Sequence, residues 1–256
     1  DLVYYDADLN SHIRHAARFG TFPMAFCEVE ADEASFIQSI RVLNSRWDLA
    51  PIHPVLRTLF IEPDCDPGRG NPAALRVRYG RRTQVMKLNP ASELIHGLNR
   101  ILKLADPDFV LTNWGDTWLI PRLLALAGEV GEKLHLNRDE AREVRWQKEM
   151  SYFSYGHIIF RAEEAHLFGR CHIDQRSAMM WRDYGLDGVL ESARVTTLPI
   201  ENAARVSPGS GISAMQMLTA LEQGILVPWH KQQVEVFKDG VDLIQRDRGG
   251  LIYQPI

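Results

Sequence analysis

Glu62 and Asp64 stand two residues apart in "LFIEPDCDPG", and on an extended strand that spacing sends both carboxylates to one face. Oxygens so placed are the donors that hard divalent ions such as Mg²⁺ and Mn²⁺ take, several at a time. The competing reading makes Glu62, Asp64 and Asp66 turn carboxylates ahead of Pro67-Gly68. Pro63 between them lacks an amide donor and suits a strand edge or end. A second chemistry is cationic. Arg69, Arg76, Arg78, Arg81, Arg82 and Lys87 fall between Gly68 and Ser92 with no acidic residue among them. Arg76 and Arg78 alternate with Leu75, Val77 and Tyr79, so both guanidinium groups emerge on one strand face. Such groups neutralise nucleic-acid phosphates without reading sequence, and they also simply solvate a strand. Trp114 and Trp118 offer ring faces on which a single-stranded base could stack; the alternative is that both belong to the core.

Other chemistries lack their residues. There is no phosphate-binding G-x-x-x-x-G-K-[ST] loop, no G-x-S-x-G elbow, no paired C-x-x-C and no H-E-x-x-H. Cys171 and His172, adjacent on a strand, face opposite ways and cannot ligate one metal together. "SPGSG" (207–211) reads as the turn that starts a helix.

These residues must be positioned by a mixed fold. "FPMAFCEVE" (22–30) reads as a strand, and the apolar spacing of "DEASFIQSIRVLN" (32–44) predicts an amphipathic helix. Three strands follow, carried by "LRTLFIE", "ALRVRY" and "RTQVMKL", the last two joined as a hairpin at Gly80. "NPASELIHGLNRILKLA" (89–105) is helical, with Ser92 as its expected cap; "DFVLT" is a short buried strand, and another helix starts near Pro121. "NRDEAREVRWQKE" (137–149) is expected to be a solvated helix or linker. "YGHIIF" and "HLFGRCHI" are extended, the chain is helical from Leu190 with a stop at Gly224 and Pro228, and "GGLIYQPI" reads as the start of a strand. Strand, strand, strand, helix, strand, helix is the order of a ribonuclease H-like α/β sheet. The expected layout is a partial α+β domain over 1–50, the main domain over 51–196, and a helical segment over 197–256.

Bulk composition fits this and excludes little. The chain has 256 residues, 45% hydrophobic and 24% charged, with a net charge of −4; no apolar run approaches the roughly 20 residues that cross a bilayer. Three distant cysteines suit a reducing cytoplasm better than a disulfide framework, and the absence of an initiating methionine suggests a piece of a longer protein.

Four stretches, in order, carry a family resemblance. "DPDFVLTNWGDTWLIPRL" (106–123) resembles the second exonuclease motif of family B DNA polymerases, D-P-D, three apolar residues, G-Y-N, three variable residues, F-D, one variable residue, P-Y-L. "GRCHID" (169–174) is similar to the family's G-R-x-H-x-D strand, "ARVTTLPIENAARVSPGSGISAMQMLTALEQGILVP" to the helices after the exonuclease, and "GGLIYQP" to the strand before the palm. The resemblance covers about 22–256. It implies DNA as partner, held as a primer or single strand through the parent polymerase, with this region packed on a palm whose own carboxylates perform nucleotide transfer outside the chain.

A 3′-to-5′ exonuclease of this family uses two metals, one activating water and one stabilising the leaving oxygen. Its ligands come as D-x-E on the first strand, an Asp in the second motif and an Asp in a Y-x-x-x-D helix. Here Glu62 and Asp64 occupy the D-x-E positions in exchanged order, and Leu119 stands where the second-motif Asp belongs. Asp116, three residues earlier, is either a migrated ligand or a turn and capping residue beside Gly115. Asp187 follows Tyr184 by three residues instead of four, so Asp183 and Asp187 are expected to face solvent; Asp174 is expected to cap the junction between strand and helix. The resemblance therefore implies a degenerate exonuclease kept as scaffold and DNA guide, with Glu62, Asp64 and Asp116 as candidate catalytic carboxylates and Arg76, Arg78, Arg81, Arg82 and Trp114 as candidate DNA contacts. Mg²⁺ or Mn²⁺ at Glu62 and Asp64 would be the cofactor if activity remained, and otherwise none. The alternatives are an active exonuclease with rearranged carboxylates, and an independent ribonuclease H-like binding module.

Overall fold

The structure, a computed structural model, describes residues 5–7, 9–154, 157–179 and 181–227. The strand expected at "GGLIYQPI" and the stop at Pro228 lie outside them. Helix α1 spans Ser11–Phe19, and strands β1 (Cys27–Ala31) and β2 (Ile37–Val42) form an antiparallel hairpin. The central sheet follows: β3 (Thr58–Pro63), β4 (Ala74–Tyr79), β5 (Arg82–Lys87), then helix α2 (Ala91–Ala105) and strand β6 (Phe109–Thr112). One π-helical turn, Gly115–Leu119, leads into α3 (Ile120–Val130). Short strands β7 (Arg145–Gln147), β8 (Met150–Ser154), β9 (His157–Arg161) and β10 (Glu164–His166) pair as β7 with β10 and β8 with β9. Strand β11 (Cys171–Asp174) and helices α4 (Trp181–Thr196), α5 (Ile200–Arg205) and α6 (Pro208–Glu222) complete the described chain.

Five strands make one mixed sheet in the order β11-β6-β3-β4-β5. β3, β4 and β5 are antiparallel neighbours, while β6 runs parallel to β3 and β11 parallel to β6. This is the ribonuclease H-like arrangement. Burial explains the residue choices. β6, "FVLT", is buried at every position, as a central parallel strand covered on both faces must be. In β4 Leu75 and Val77 are buried while Arg76 and Arg78 are exposed, so one face only is covered there.

The first face packs Leu59, Ile61, Leu75 and Val77 against the apolar stripe of α2, Leu94, Ile95, Leu98 and Leu102, joined by Ile120 and Leu123 of α3. The opposite face buries Phe60, Phe109, Leu111 and Ile173 under Val189 and Leu190 of α4 and Ala204 of α5. A third cluster unites Ile13 and Ala16 of α1 with Ala193, Ala203, Ala214 and Leu218, so the helices beyond position 197 pack on the amino-terminal helix. Among the described residues no helix is long and apolar enough to cross a membrane.

Two expectations need correction. Residues 37–42, expected to be helical, form β2: the Asp32 carboxylate accepts from the amides of Ala34 and Phe36, turning the chain back so that β-branched Ile37, Ile40 and Val42 pair with β1. Phe36, Ile37, Ile40 and Leu43 recur at helical spacing while Ala34, Phe36, Ile40 and Val42 fit an alternation, and the turn decides between the two. Ser92 does not cap α2, because the helix already begins at Ala91 with Pro90 in the capping position. Of the two alternatives for the charged stretch 137–149, the linker is the one found: it holds turns and β7 but no helix.

Candidate functional site

Glu62 and Asp64 both bond across the β3–β4 hairpin, and Glu62 also bonds Asn113 just after β6. Glu62 lies opposite Arg76 in register; Arg76 Nη1 donates to Oε1 at 3.0 Å and Asn113 Nδ2 to Oε2 at 2.9 Å. Asp64 lies just past the end of β3, where its oxygens accept from the amides of Ala73 at 3.1 Å and Ala74 at 3.2 Å. That bond satisfies the first donors of β4 and holds the strand end closed. Asp66 accepts from Gly68 N at 2.9 Å in a tight turn. Asp66 is thus a turn carboxylate ahead of Pro67 and Gly68 as expected, whereas Glu62 lies within β3.

Asp116 occupies a different environment. Trp114 takes a left-handed conformation with φ of 55°, the π-helical turn begins, and Asp116 is directed inward until it is 1% exposed. Its Oδ1 accepts from Ala165 N at 2.9 Å and its Oδ2 from Ser177 Oγ at 2.8 Å. The Arg205 guanidinium from α5 reaches both oxygens through Nη2, at 3.3 and 3.2 Å. Arg205 Nε also lies 3.7 Å from Glu164 Oε2. A buried carboxylate needs a cation and full hydrogen bonding, and Asp116 receives both from the protein. Leu119, one turn on, is 1% exposed within the core under α2 and α3.

The surrounding groups form a buried ionic cluster that the sequence reading did not anticipate. His166 Nδ1 is 2.9 Å from Glu201 and its Nε2 3.6 Å from Glu164; Glu164 and Glu201 together push His166 up to about 9. Although burial opposes it, His166 and Arg205 hold Glu164 below the usual carboxylate range. His172 is fully buried and kept neutral by that burial: its Nδ1 donates to Ala165 O at 2.8 Å, so its Nε2 accepts from Thr112 Oγ1 at 2.9 Å. Asp174 accepts from the amides of Arg176 and Asp116 at 3.0 and 3.1 Å, tying the end of β11 to the π-helical turn, and burial raises it to about 6.

These shifts carry a pH signature. A raised pKa in the native state means that folding takes up protons, so stability falls as pH rises. For His166 the contribution is complete below 6.5 and is lost as pH climbs through about 9. For Asp174 a penalty sets in as pH rises from 3.8 to about 6. The urea midpoint is therefore expected to fall between about pH 6.5 and about pH 9, and His166→Gln to flatten that fall; an unchanged slope in the variant would assign it elsewhere.

Glu62 and Asp116 turn to separate partners, Arg76 and Asn113 for one, Arg205 and Ser177 for the other. Among the described residues no three His, Cys, Asp or Glu side chains are placed to hold a metal ion. As arranged, the donors do not fit a pair of divalent ions, because the cation beside Asp116 is a guanidinium. Asp183 and Asp187 are exposed on α4, whose path is broken at Gly185 by φ of 60° and ψ of −157°.

The basic candidates are spread over the β4–β5 hairpin, Arg76 and Arg78 on one face and Arg82, opposite Tyr79 in register, on the other. Arg76 and Arg78 project from the half of the sheet that α4 and α5 leave uncovered, beside Val85, which is 66% exposed. Arg78 lies 4.1 Å over the Phe60 ring, and Arg81 and Arg82 close the β4–β5 turn in full exposure. Among the described residues Arg78, Arg81 and Arg82 have no acidic partner, whereas Arg76 is engaged by Glu62. Trp114 is half-buried with the Arg176 guanidinium 5.0 Å over its ring, next to the Asn113 that holds Glu62. Trp118 packs against the core.

No family model and no curated protein matches this sequence. Among solved structures the chain is similar to the family B DNA polymerase from the hyperthermophilic archaeon Pyrobaculum calidifontis, with a TM-score of 0.59 and 19% identity over 91% of this chain. The fold is one that a DNA polymerase carries. The match takes in 38% of that polymerase, so this chain corresponds to well under half of it.

With the polymerase fold in view, the two best-matching motifs prove to be structural. Asp106 and Asp108 of D-P-D and Arg170 of G-R meet at the opposite end of the parallel strands from Glu62. Arg170 donates to Pro107 O at 3.2 Å, His135 O at 3.1 Å and Leu136 O at 2.8 Å, and reaches Asp106 at 3.3 Å. Arg138 bonds both aspartates, at 2.8 and 2.7 Å, and with Arg57 and Arg170 holds Asp106 down at about 2. The cluster fixes the starts of β6 and β11 side by side.

Proposed function

We propose that this chain is the exonuclease-like region of a family B DNA polymerase in which metal-dependent hydrolysis has been lost, and that it serves as a scaffold bracing the palm and guiding DNA. The observation that carries the reading is the enclosure of Asp116. A metal ligand must offer a lone pair to an ion that exchanges with solvent, yet both oxygens of Asp116 are engaged by Arg205, Ser177 and Ala165. Placing a divalent cation there would set it against a buried guanidinium, a like-charge contact that a low dielectric makes severe. Glu62 and Asp64 are left as two carboxylates, one tied to Arg76 and one to backbone amides. Two-metal catalysis asks for more oxygens than these.

The guiding role is supported by the exposed arginines. Arg78 projects from a sheet face without a covering helix, and Arg81 and Arg82 extend from the turn beside it, exposed cations suited to phosphates approached without regard to sequence. Incubation of the purified chain with 5′-labelled single-stranded DNA and Mn²⁺ is expected to leave the strand full length, equally for the wild type and Asp64→Ala. Stepwise removal of 3′ nucleotides that disappears in Asp64→Ala would establish the active exonuclease with rearranged carboxylates and overturn this reading.

A further inference from the structure

The ion cluster that joins D-P-D to G-R also forms one wall of a groove of about 590 Å³, at the far end of the sheet from Glu62 and Asp116. His96, Asn99, Arg100 and Lys103 stand at i, i+3, i+4 and i+7 along α2, so they share one helix face. The facing wall is the segment that holds His135 and Arg138. Asn99 sets the spacing between the two: its Nδ2 donates to Lys133 O at 2.8 Å and its Oδ1 accepts from His135 N at 2.9 Å.

The charges around this groove are unequal in kind. Arg138 and Arg170 are consumed by Asp106, Asp108 and backbone carbonyls, which makes that wall rigid. Arg100 and Lys103, both exposed, have no acidic partner among the described residues. Among the described residues Glu140 is the only other carboxylate lining the groove, and its Oε1 stands 3.5 Å from His135 Nδ1 without a hydrogen bond between them. The His135 Nδ1 atom is enclosed and makes no hydrogen bond among the described residues. Between the two unspent cations and this ring nitrogen lies a space within the roughly 300–1,000 Å³ of small-molecule sites.

We propose that this groove binds a small phosphorylated molecule of mononucleotide size, its phosphate between Arg100 and Lys103 and its polar ring toward His135. Guanidinium and ammonium groups without carboxylate partners pair readily with phosphate oxygens, and a wall already fixed by Asp106 and Asp108 spares the ligand the cost of ordering it. The inference is independent of the reading of Glu62, Asp64 and Asp116.

Calorimetric titration of the intact chain with deoxyadenosine 5′-monophosphate, in buffer containing a chelator, tests it. Binding is expected with a Kd below about 1 mM, weakened at least about tenfold in the double variant Arg100→Gln/Lys103→Gln, and absent for deoxyadenosine, which lacks the phosphate. Both substitutions lie on an exposed helix face and are expected to leave the fold intact, which circular dichroism checks. Glu62→Gln/Asp64→Asn is expected to bind as the wild type does, so loss of binding in that variant would place the ligand at the other end of the sheet and overturn the proposal. Absence of binding by the wild type, or affinity unchanged in Arg100→Gln/Lys103→Gln, would overturn it too. Displacement of the mononucleotide by a short single-stranded oligonucleotide at equal phosphate concentration would assign the groove to the polymer and overturn the small-ligand reading.

Discussion

Arg205→Ala is expected to destabilise the fold by about 3–5 kcal/mol, the range seen when one partner of a buried ion pair is removed. Arg205 is 6% exposed and reaches both oxygens of Asp116 while lying near Glu164. Its loss strands two carboxylates where water cannot replace the guanidinium. Pairing the change with Asp116→Asn separates charge from packing. If the cost comes from uncompensated charge, the double variant Arg205→Ala/Asp116→Asn is expected to recover part of the loss, since an amide oxygen in that place still accepts from Ala165 N. If it comes from the cavity left by the side chain, the double variant will be no better than Arg205→Ala. Denaturant midpoints at constant slope decide between them. A small effect, under about 1 kcal/mol, would mean that the pair is solvated, and the argument against a metal beside Asp116 would fail with it.

This cluster marks the limit of what could be read from the sequence. The strands and helices of the sheet were legible because burial leaves a periodic trace: Leu75 and Val77 alternate with Arg76 and Arg78, Leu94, Leu98, Ile101 and Leu102 recur at helical spacing, and "FVLT" is apolar throughout. Asp116 was legible only as a carboxylate beside a glycine. Its partners Ala165, Ser177 and Arg205 lie 49, 61 and 89 residues away, and nothing local in "IENAARV" distinguishes a buried arginine from one on a solvated face. The same applies to Arg170, whose acceptors Pro107, His135 and Leu136 converge only once β6 and β11 are parallel. Residues 32–44 failed for a different reason. Their apolar spacing fits two periods, and the turn is made by a single carboxylate, that of Asp32 at the start of the stretch, ahead of its apolar residues.

The resemblance and the structure also divide the motifs by role. D-P-D and G-R, the most readily matched stretches, pin the starts of two parallel strands, while the positions to which the resemblance assigns exonuclease chemistry hold Glu62, Asp64 and Leu119. Constraints on architecture and constraints on catalysis act on different residues of one fold. Here the first set is satisfied down to individual carbonyls; on the reading proposed above the second has been relaxed, with Glu62 paired to Arg76 and Asp116 to Arg205.

Gly115→Ala is expected to be the most disruptive single-methyl change in the described chain, although its backbone is not left-handed. A Cβ at that position would stand 2.6 Å from His172 Nε2 and 2.8 Å from Thr112 Cβ, and closer still to Thr112 Oγ1. None of these neighbours can withdraw. Thr112 ends the fully buried strand β6, and His172 is held through Nδ1 by Ala165 O. Relief requires breaking the Thr112–His172 hydrogen bond or displacing the π-helical turn that carries Asp116 to Arg205. Overpacking alone costs about 1–3 kcal/mol, and a buried polar group left unbonded adds about 1–3 kcal/mol. Thr112→Ala removes the tightest contact and leaves those of 2.6 and 2.8 Å, so Gly115→Ala/Thr112→Ala is expected to be less destabilised than the sum of its single changes, by a coupling of about 0.5–3 kcal/mol. Hydrogen exchange at the Ala165 amide reports on the turn directly, because that amide bonds Asp116 Oδ1: faster exchange in Gly115→Ala, restored in part by Thr112→Ala, is the expected pattern. Strict additivity with unaltered exchange would show that the glycine is tolerated there and that the Thr112–His172 pair does not set the position of Asp116.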